Sequence, residues 1–230
     1  MRLSARKVAL FGLLTALALI LGLMDRAIPL TALLGGAVPG IKLGLANTVL
    51  LYAVYLMDWK SSVLLMLTKV MLSGFLFGSL NAVLYSLAGG ILSLGAMLLI
   101  RKKPENGALG AALAAAAAGI WMLIRTPRLK GQKLWIVILI WVSCIAAFSV
   151  FLAIRRGKLS GVMGTSLTGA VMHNCGQMLV AGWMLHAPQL LITYLPVLVG
   201  AGAAVGCLTG LITERVLAIL RIQSKWDRRN

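Results

Sequence analysis

Gly169-Ala170-Val171-Met172-His173-Asn174-Cys175-Gly176-Gln177 stands in the middle of an apolar stretch running from Leu159 to Leu185. No other segment sets so many strong hydrogen-bonding side chains so deep in a hydrophobic span. In hydrocarbon such groups are costly, so they face a bundle interior, a cavity or a ligand. At helical pitch His173 and Gln177 are i,i+4 and Asn174 and Gln177 are i,i+3, which puts all three on one side of a helix. Ser166, Gly169 and Ala170 continue that side one and two turns earlier. The pattern is that of a binding wall, not a hydrolytic motif. The competing interpretation is interhelical glue, at about 1 kcal/mol for each residue.

The rest of the chain has the same apolar character. Of its 230 residues, 60% are hydrophobic and 12% charged, and its mean hydropathy is +0.97. This composition excludes an ordinary soluble domain. Apolar runs of about 20 residues recur, the length that crosses a bilayer as a helix. The fold class is therefore an all-α polytopic membrane protein, with residues 1–230 forming a single transmembrane domain. No small-residue cleavage site follows the first run, so it is kept as a helix and not a removed signal.

Helix one is expected over Lys7 to Met24, followed by a connection from Asp25 to Lys42 with Pro29, Gly35-Gly36 and Pro39-Gly40. Helix two covers Leu43 to Met57, helix three Ser61 to Gly78, and helix four Asn81 to Ile100. Residues 101–158 then read as an inserted hairpin, with a moderately apolar, Ala-rich limb from Ala108 to Ile124 and a strongly apolar limb from Leu134 to Ile154. Leu159 to Leu185 and Leu191 to Ile219 complete the expectation of about eight spans, and a basic tail follows from Arg221.

A net charge of +17 raises the question of nucleic acid. The basic residues, however, cluster at the ends of apolar runs, as the positive-inside rule requires, so the partner they indicate is a lipid bilayer. With the N-terminus inside and eight crossings, 15 basic residues fall inside and 6 outside, with Lys69 within the membrane. If neither limb of the insertion crossed, the split would be 19 to 2, but Leu134 to Ile154 is hard to keep out of lipid. Both arrangements leave the N- and C-termini cytoplasmic, in a multi-pass plasma-membrane protein. Only five acids occur: Asp25, Asp58, Glu105, Glu214 and Asp227. Asp25-Arg26 and Glu214-Arg215 read as interfacial anchors or local pairs at helix ends. Cys144, Cys175 and Cys207 have no ligand-like spacing and read as packing residues. No metal site or cofactor is indicated.

Three stretches together carry a family resemblance: Pro39-Gly40-Ile41-Lys42-Leu43-Gly44-Leu45-Ala46-Asn47, then Lys69-Val70-Met71-Leu72-Ser73-Gly74-Phe75-Leu76-Phe77-Gly78, then Gly169 to Gln177. They resemble the Gx transporter family, also labelled heptaprenyl diphosphate synthase component I, which looks like the substrate-binding S components of energy-coupling factor (ECF) transporters. The resemblance covers residues 7–100 and 159–220 and implies a six-helix core. This chain departs from the family pattern in its inserted hairpin and in Lys69, where the family usually carries Arg. Lysine lacks the guanidinium fork that grips an anion with two bonds.

The resemblance implies a substrate site at Lys42, Asn47, Lys69, Tyr85, His173, Asn174 and Gln177. Lys42 and Lys69 lean toward a small anionic or polar-headed ligand. Lys69, eight residues into helix three, costs about 3 kcal/mol or more at depth unless it snorkels or finds a partner. No intramembrane carboxylate is expected to meet it. Trp183 reads as an interfacial belt residue.

Helix one carries a small-residue stripe, Ala5, Ala9, Gly12 and Ala16, that lets another helix approach closely. By the resemblance it docks on a transmembrane coupling subunit driven by two cytoplasmic ATPases. The chain has no phosphate-binding Gly-x-x-x-x-Gly-Lys-Ser/Thr loop, so partners must hydrolyse the ATP. The alternative is a non-catalytic membrane subunit of a heptaprenyl or polyprenyl diphosphate synthase. Prenyl transfer needs clustered aspartates to hold magnesium, and the sequence contains no such cluster. The expectation is a binding protein, not an enzyme.

Overall fold

The computed structural model describes residues 5–27, 44–77, 80–125, 134–158, 161–186 and 189–226. Among these the only regular elements are eight helices: α1 (Ala5–Ala27), α2 (Asn47–Leu56), α3 (Trp59–Phe77), α4 (Leu80–Ile100), α5 (Pro104–Arg125), α6 (Leu134–Arg155), α7 (Val162–Met184) and α8 (Gln189–Trp226). Four contain segments long and apolar enough to cross a membrane: Ala5–Asp25, Trp59–Leu76, Leu80–Ile100 and Tyr194–Leu220. The all-α polytopic membrane architecture expected from composition is the one found.

Contacts at one end of the bundle gather the basic segments. Lys7 Nζ lies 3.9 Å from Asp58 Oδ1, joining the start of α1 to the α2–α3 turn. Asp58 Oδ2 also accepts from the Ser61 backbone N–H at 3.3 Å, which caps α3, and its Oδ1 accepts from the Ser61 hydroxyl at 2.9 Å, which holds the carboxyl below its ordinary value. Arg101 Nη1 donates to the Val54 carbonyl at 3.3 Å, tying the end of α4 to the last turn of α2. Gly161 and Gly164, at the start of α7, lie so close to Pro104 that a Cβ at either would overlap it. The turn before α5 and the turn after α6 therefore adjoin. Each of these two helices has 22 residues, about 33 Å at the helical rise. They pack on each other as a hairpin that leaves and returns to the basic end.

The hairpin is part of the core. Ala108, Ala111, Ala112, Ala115 and Ala118 are buried with Ile140 and Ala147 of α6, Met163, Leu167 and Val171 of α7, and Val199 and Ala203 of α8. Alanines three and four apart form a smooth face, so the neighbouring helices approach closely. This explains why the α5 sequence is only moderately apolar: its contact face is protein, not lipid. A second cluster joins Leu14 and Ala18 of α1 to Val49–Val54 of α2, Leu65 and Val70 of α3, and Leu94 and Met97 of α4.

Helix α7 runs between these two clusters, and sixteen of its 23 residues are buried. A helix covered on nearly all sides can carry polar groups without presenting them to lipid. Several boundaries differ from expectation. Helix two starts at Asn47, not Leu43, because Gly44 adopts φ +90°, which a right-handed helix cannot include. Helix one continues to Ala27, so Asp25 is helical. The last helix runs on to Trp226, beyond Ile219.

A polar cavity between α1, α2, α3, α4 and α7

Helix α2 has only ten residues, about 15 Å, and it ends at the basic end of the bundle. Its N-terminus therefore lies inside the bundle, far from either end of a full-length span. There the first peptide N–H groups carry the positive end of the helix dipole. Ala46 N, just before the helix, donates to Asp25 Oδ2 at 3.4 Å. The next residue, Asn47, accepts a hydrogen bond from Lys69 Nζ through its Oδ1 at 3.1 Å.

A cavity of about 20 Å3 opens against this first turn, room for about one water. Its polar lining is Asp25, Asn47, Lys69, Ser73, Ser86 and His173, with Ala18, Gly22, Gly44, Ala46 and Val70 as the apolar part. Asp25, Asn47 and His173 are each at most 4% exposed, and Lys69 is 9% exposed. Lys69 thus does not snorkel to an interface. Asn47 Nδ2 is buried without a hydrogen-bond partner among the described residues. A buried amide donor in that position costs free energy unless something in the cavity accepts from it.

The His173 ring is fixed by two glycines. A Cβ on Gly44 would sit 2.9 Å from His173 Cδ2, and one on Gly89 of α4 would sit 2.5 Å from His173 Nδ1. Only glycine at both places leaves room for the imidazole. Farther along, a Cβ on Gly176 would meet the Ala88 carbonyl oxygen at 2.7 Å, so α4 and α7 cross nearly backbone to backbone.

The expected wall on α7 divides. His173 faces the cavity, whereas Asn174 Nδ2 donates to the Leu198 carbonyl of α8 at 2.6 Å. Successive helical residues point about 100° apart, so neighbours reach different partners. Ser166 Oγ, two turns earlier, donates to the Gly206 carbonyl of α8 at 2.8 Å. This α7–α8 seam closes on Gly202, Gly206 and Gly210, whose added Cβ atoms would lie 2.7 Å from Asn174 Nδ2, 2.9 Å from Leu167 Cα and 3.1 Å from Met163 Cα. Their spacing of four is the small-residue pattern of closely packed membrane helices.

Of the expected substrate residues, Asn47, Lys69 and His173 come together. Gln177 is buried one turn beyond His173 but does not line the cavity. Tyr85 packs with Met178, Ala181 and Leu198 instead. Lys42 lies outside the described residues. Ser73, Ser86 and Asp25 join the site unforeseen. Ser73 had a signal, one helical turn after Lys69. Asp25 corrects two expectations: it is not an interfacial anchor, and a carboxylate does share the interior with Lys69. Its position beside Arg26 at a helix end concealed this.

The stripe on α1 is exposed at Ala5, Ala9, Gly12 and Ala16, and nothing lies within 4 Å of a Cβ built on Gly12. Trp183 is 77% exposed near the end of α7, as a belt residue is. No cluster of three His, Cys, Asp or Glu that could hold a metal occurs among the described residues.

The fold and this cavity define a polytopic helical membrane protein with a charged, hydrogen-bonding interior. More particularly, the chain belongs to the family described as heptaprenyl diphosphate synthase component I, whose model matches residues 14–126 and 128–216. The match extends beyond the resemblance seen in the sequence motifs and includes nearly all of 101–158. No curated protein and no solved structure matches the chain.

Proposed function

We propose that this protein is the membrane-embedded substrate-binding (S) component of an ECF-type transporter. It captures a small polar molecule at the first turn of α2, where the cavity, with room for about one water, would widen around the guest, and hands it to partner subunits for ATP-driven uptake. The observation that carries this proposal is the convergence of Lys69, Asn47 and His173, from three helices, on one enclosed space. Interhelical glue needs only pairwise bonds such as Asn174 to Leu198. A shared space lined by an amide donor that has no partner among the described residues favours a guest.

Docking follows from the exposed α1 stripe. Ala5, Ala9, Gly12 and Ala16 would admit a helix of the coupling subunit at close range. The gathered basic segments would face the cytoplasm, where the two ATPases reside. In this arrangement the α5–α6 hairpin crosses the membrane with the core, giving eight spans.

The family description favours a second possibility, a non-catalytic membrane subunit of a heptaprenyl diphosphate synthase. With five acids in the whole chain and no paired aspartates, such a subunit would anchor or supply a soluble enzyme.

Purification of the intact protein from its native membrane, with mass spectrometry of co-purifying proteins, separates the two. A transmembrane coupling protein with two ATPases is the expected result, and Gly12→Trp should abolish that co-purification without changing the protein's melting temperature. A soluble prenyl synthase, with no ATPase present, would overturn the transporter proposal in favour of the second.

A further inference from the structure

Two turns at the basic end bring exposed cations together. The turn before α5 carries Lys102 and Lys103, and the turn that closes α6 carries Arg155, Arg156 and Lys158. The first turn of α7 joins them: a Cβ on Gly164 would overlap Pro104 and lie 3.3 Å from Ile154 Cδ1. All five basic residues are exposed, and none pairs with a carboxylate among the described residues. Glu105, in the first turn of α5, is the one acid beside them in sequence, and it suits the positive end of its own helix. By contrast, Lys7 at the same end faces Asp58, and Arg101 donates to the Val54 carbonyl. Like charges gathered on one surface repel until an anion neutralises them. The surface next to these cations is apolar. Phe151 and Phe148 lie four and seven residues before Arg155, on one side of α6. Arg155 Cζ is 5.8 Å from the Phe151 ring centroid, and the two rings are 5.8 Å apart. Phe148 is 46% exposed, and Leu99, one turn before Lys103, is 83% exposed.

We propose that these two turns form a binding site for an anionic phospholipid. Lys102, Lys103, Arg155, Arg156 and Lys158 surround its phosphate, and an acyl chain runs along Phe148. A guanidinium matches phosphate with two parallel hydrogen bonds, and an ammonium adds a point charge. The positive-inside rule puts this end at the cytoplasmic leaflet, whose anionic lipids attract clusters of lysine and arginine next to membrane helices. A free anion would use the cations alone, whereas a phospholipid also covers the apolar strip beside them. The site is separate from the cavity at His173 and does not rest on the capture role.

The test is a titration of the full-length protein, delipidated in detergent, with short-chain phosphatidylglycerol, short-chain phosphatidylcholine or inorganic phosphate. The readout is the concentration that gives half the maximal rise in melting temperature. Phosphatidylglycerol should act at a concentration about tenfold or more below that of phosphatidylcholine. Arg155→Gln should weaken phosphatidylglycerol about fivefold, and Arg155→Gln, Arg156→Gln and Lys158→Gln together about 100-fold. Lys60→Gln, at the start of α3 on the same end, should change it by less than about twofold, because it lies outside the two turns. If the triple variant does not fold, Lys102→Gln with Lys103→Gln reads the same site, with an expected loss of about 25-fold. Equal affinity for the two lipids, or wild-type affinity in the variants of either turn, overturns the proposal. So does a loss in Lys60→Gln as large as that in Arg155→Gln, which would mean diffuse surface charge. Inorganic phosphate acting as well as phosphatidylglycerol would mean a free-anion site and would also overturn it.

Discussion

On one side of α7, His173 faces a cavity shared with Lys69, Asn47 and Asp25; on another, Asn174 and Ser166 bond to the backbone of α8. Both sets are buried, and both come from the same polar run in an apolar sequence. They differ in what surrounds them. At the α8 seam, glycines bring the two backbones together, and the polar side chains are spent on neighbouring carbonyls. At the cavity, a helix begins inside the bundle and side chains from several elements meet around a space. Burial of polar groups in a membrane helix thus has two outcomes, one that bonds a neighbouring backbone and one that lines a space. The partners of each group, not its depth, distinguish them.

The contrast can be broken most severely at the seam. Gly206→Leu would drive a side chain toward Leu167 Cα, 2.9 Å from the added Cβ, and the backbone there cannot yield. The expected cost is at or above the upper end of the ~1–3 kcal/mol typical of overpacking, seen as loss of the monodisperse peak in size-exclusion chromatography.

On the cavity side the signature is reversed. His173→Ala should weaken ligand binding about tenfold or more, equivalent to about 1.4 kcal/mol, with little change in melting temperature. Gly44→Ala should weaken binding similarly from outside α7, with a lowered melting temperature as well. Its φ of +90° strains any L side chain, by about 1–3 kcal/mol, and the new Cβ would press on the ring. Binding measured on both variants by equilibrium dialysis against the metabolite released from wild type checks this. Equal affinity in all three proteins would remove His173 from the site.

The smallest effect sharpens the comparison most. Asn174→Ala loses one interhelical hydrogen bond, about 1 kcal/mol, and should lower the melting temperature by about 2–4 °C. Ligand affinity should not change. A loss of affinity equal to that of His173→Ala would erase the distinction between the two sides.

Much of this was legible in the sequence. Apolar runs fixed the helical membrane class, and the depth of the run from His173 to Gln177 marked one side of α7 as facing a bundle interior, a cavity or a ligand. Lys69 and Asn47 were picked out as site residues, and the structure brings them within 3.1 Å of each other. The division between His173 and Asn174 was not legible, because helical spacing gives angles on one helix but not which neighbour each angle meets. Asp25 was missed because a carboxylate next to an arginine at a helix end looks the same whether it turns outward or inward. The glycines at 202, 206 and 210 carry a readable signal in their spacing of four, but they are apolar and so do not stand out from the surrounding span.

The central claim is that the cavity at His173 holds a captured molecule. The most direct measurement is mass spectrometry of small molecules released on denaturing wild type, His173→Ala and Asn174→Ala, each purified from native membranes. The account predicts one enriched polar metabolite in wild type and Asn174→Ala, depleted in His173→Ala. The same metabolite at equal yield from all three, or none from wild type, would contradict it.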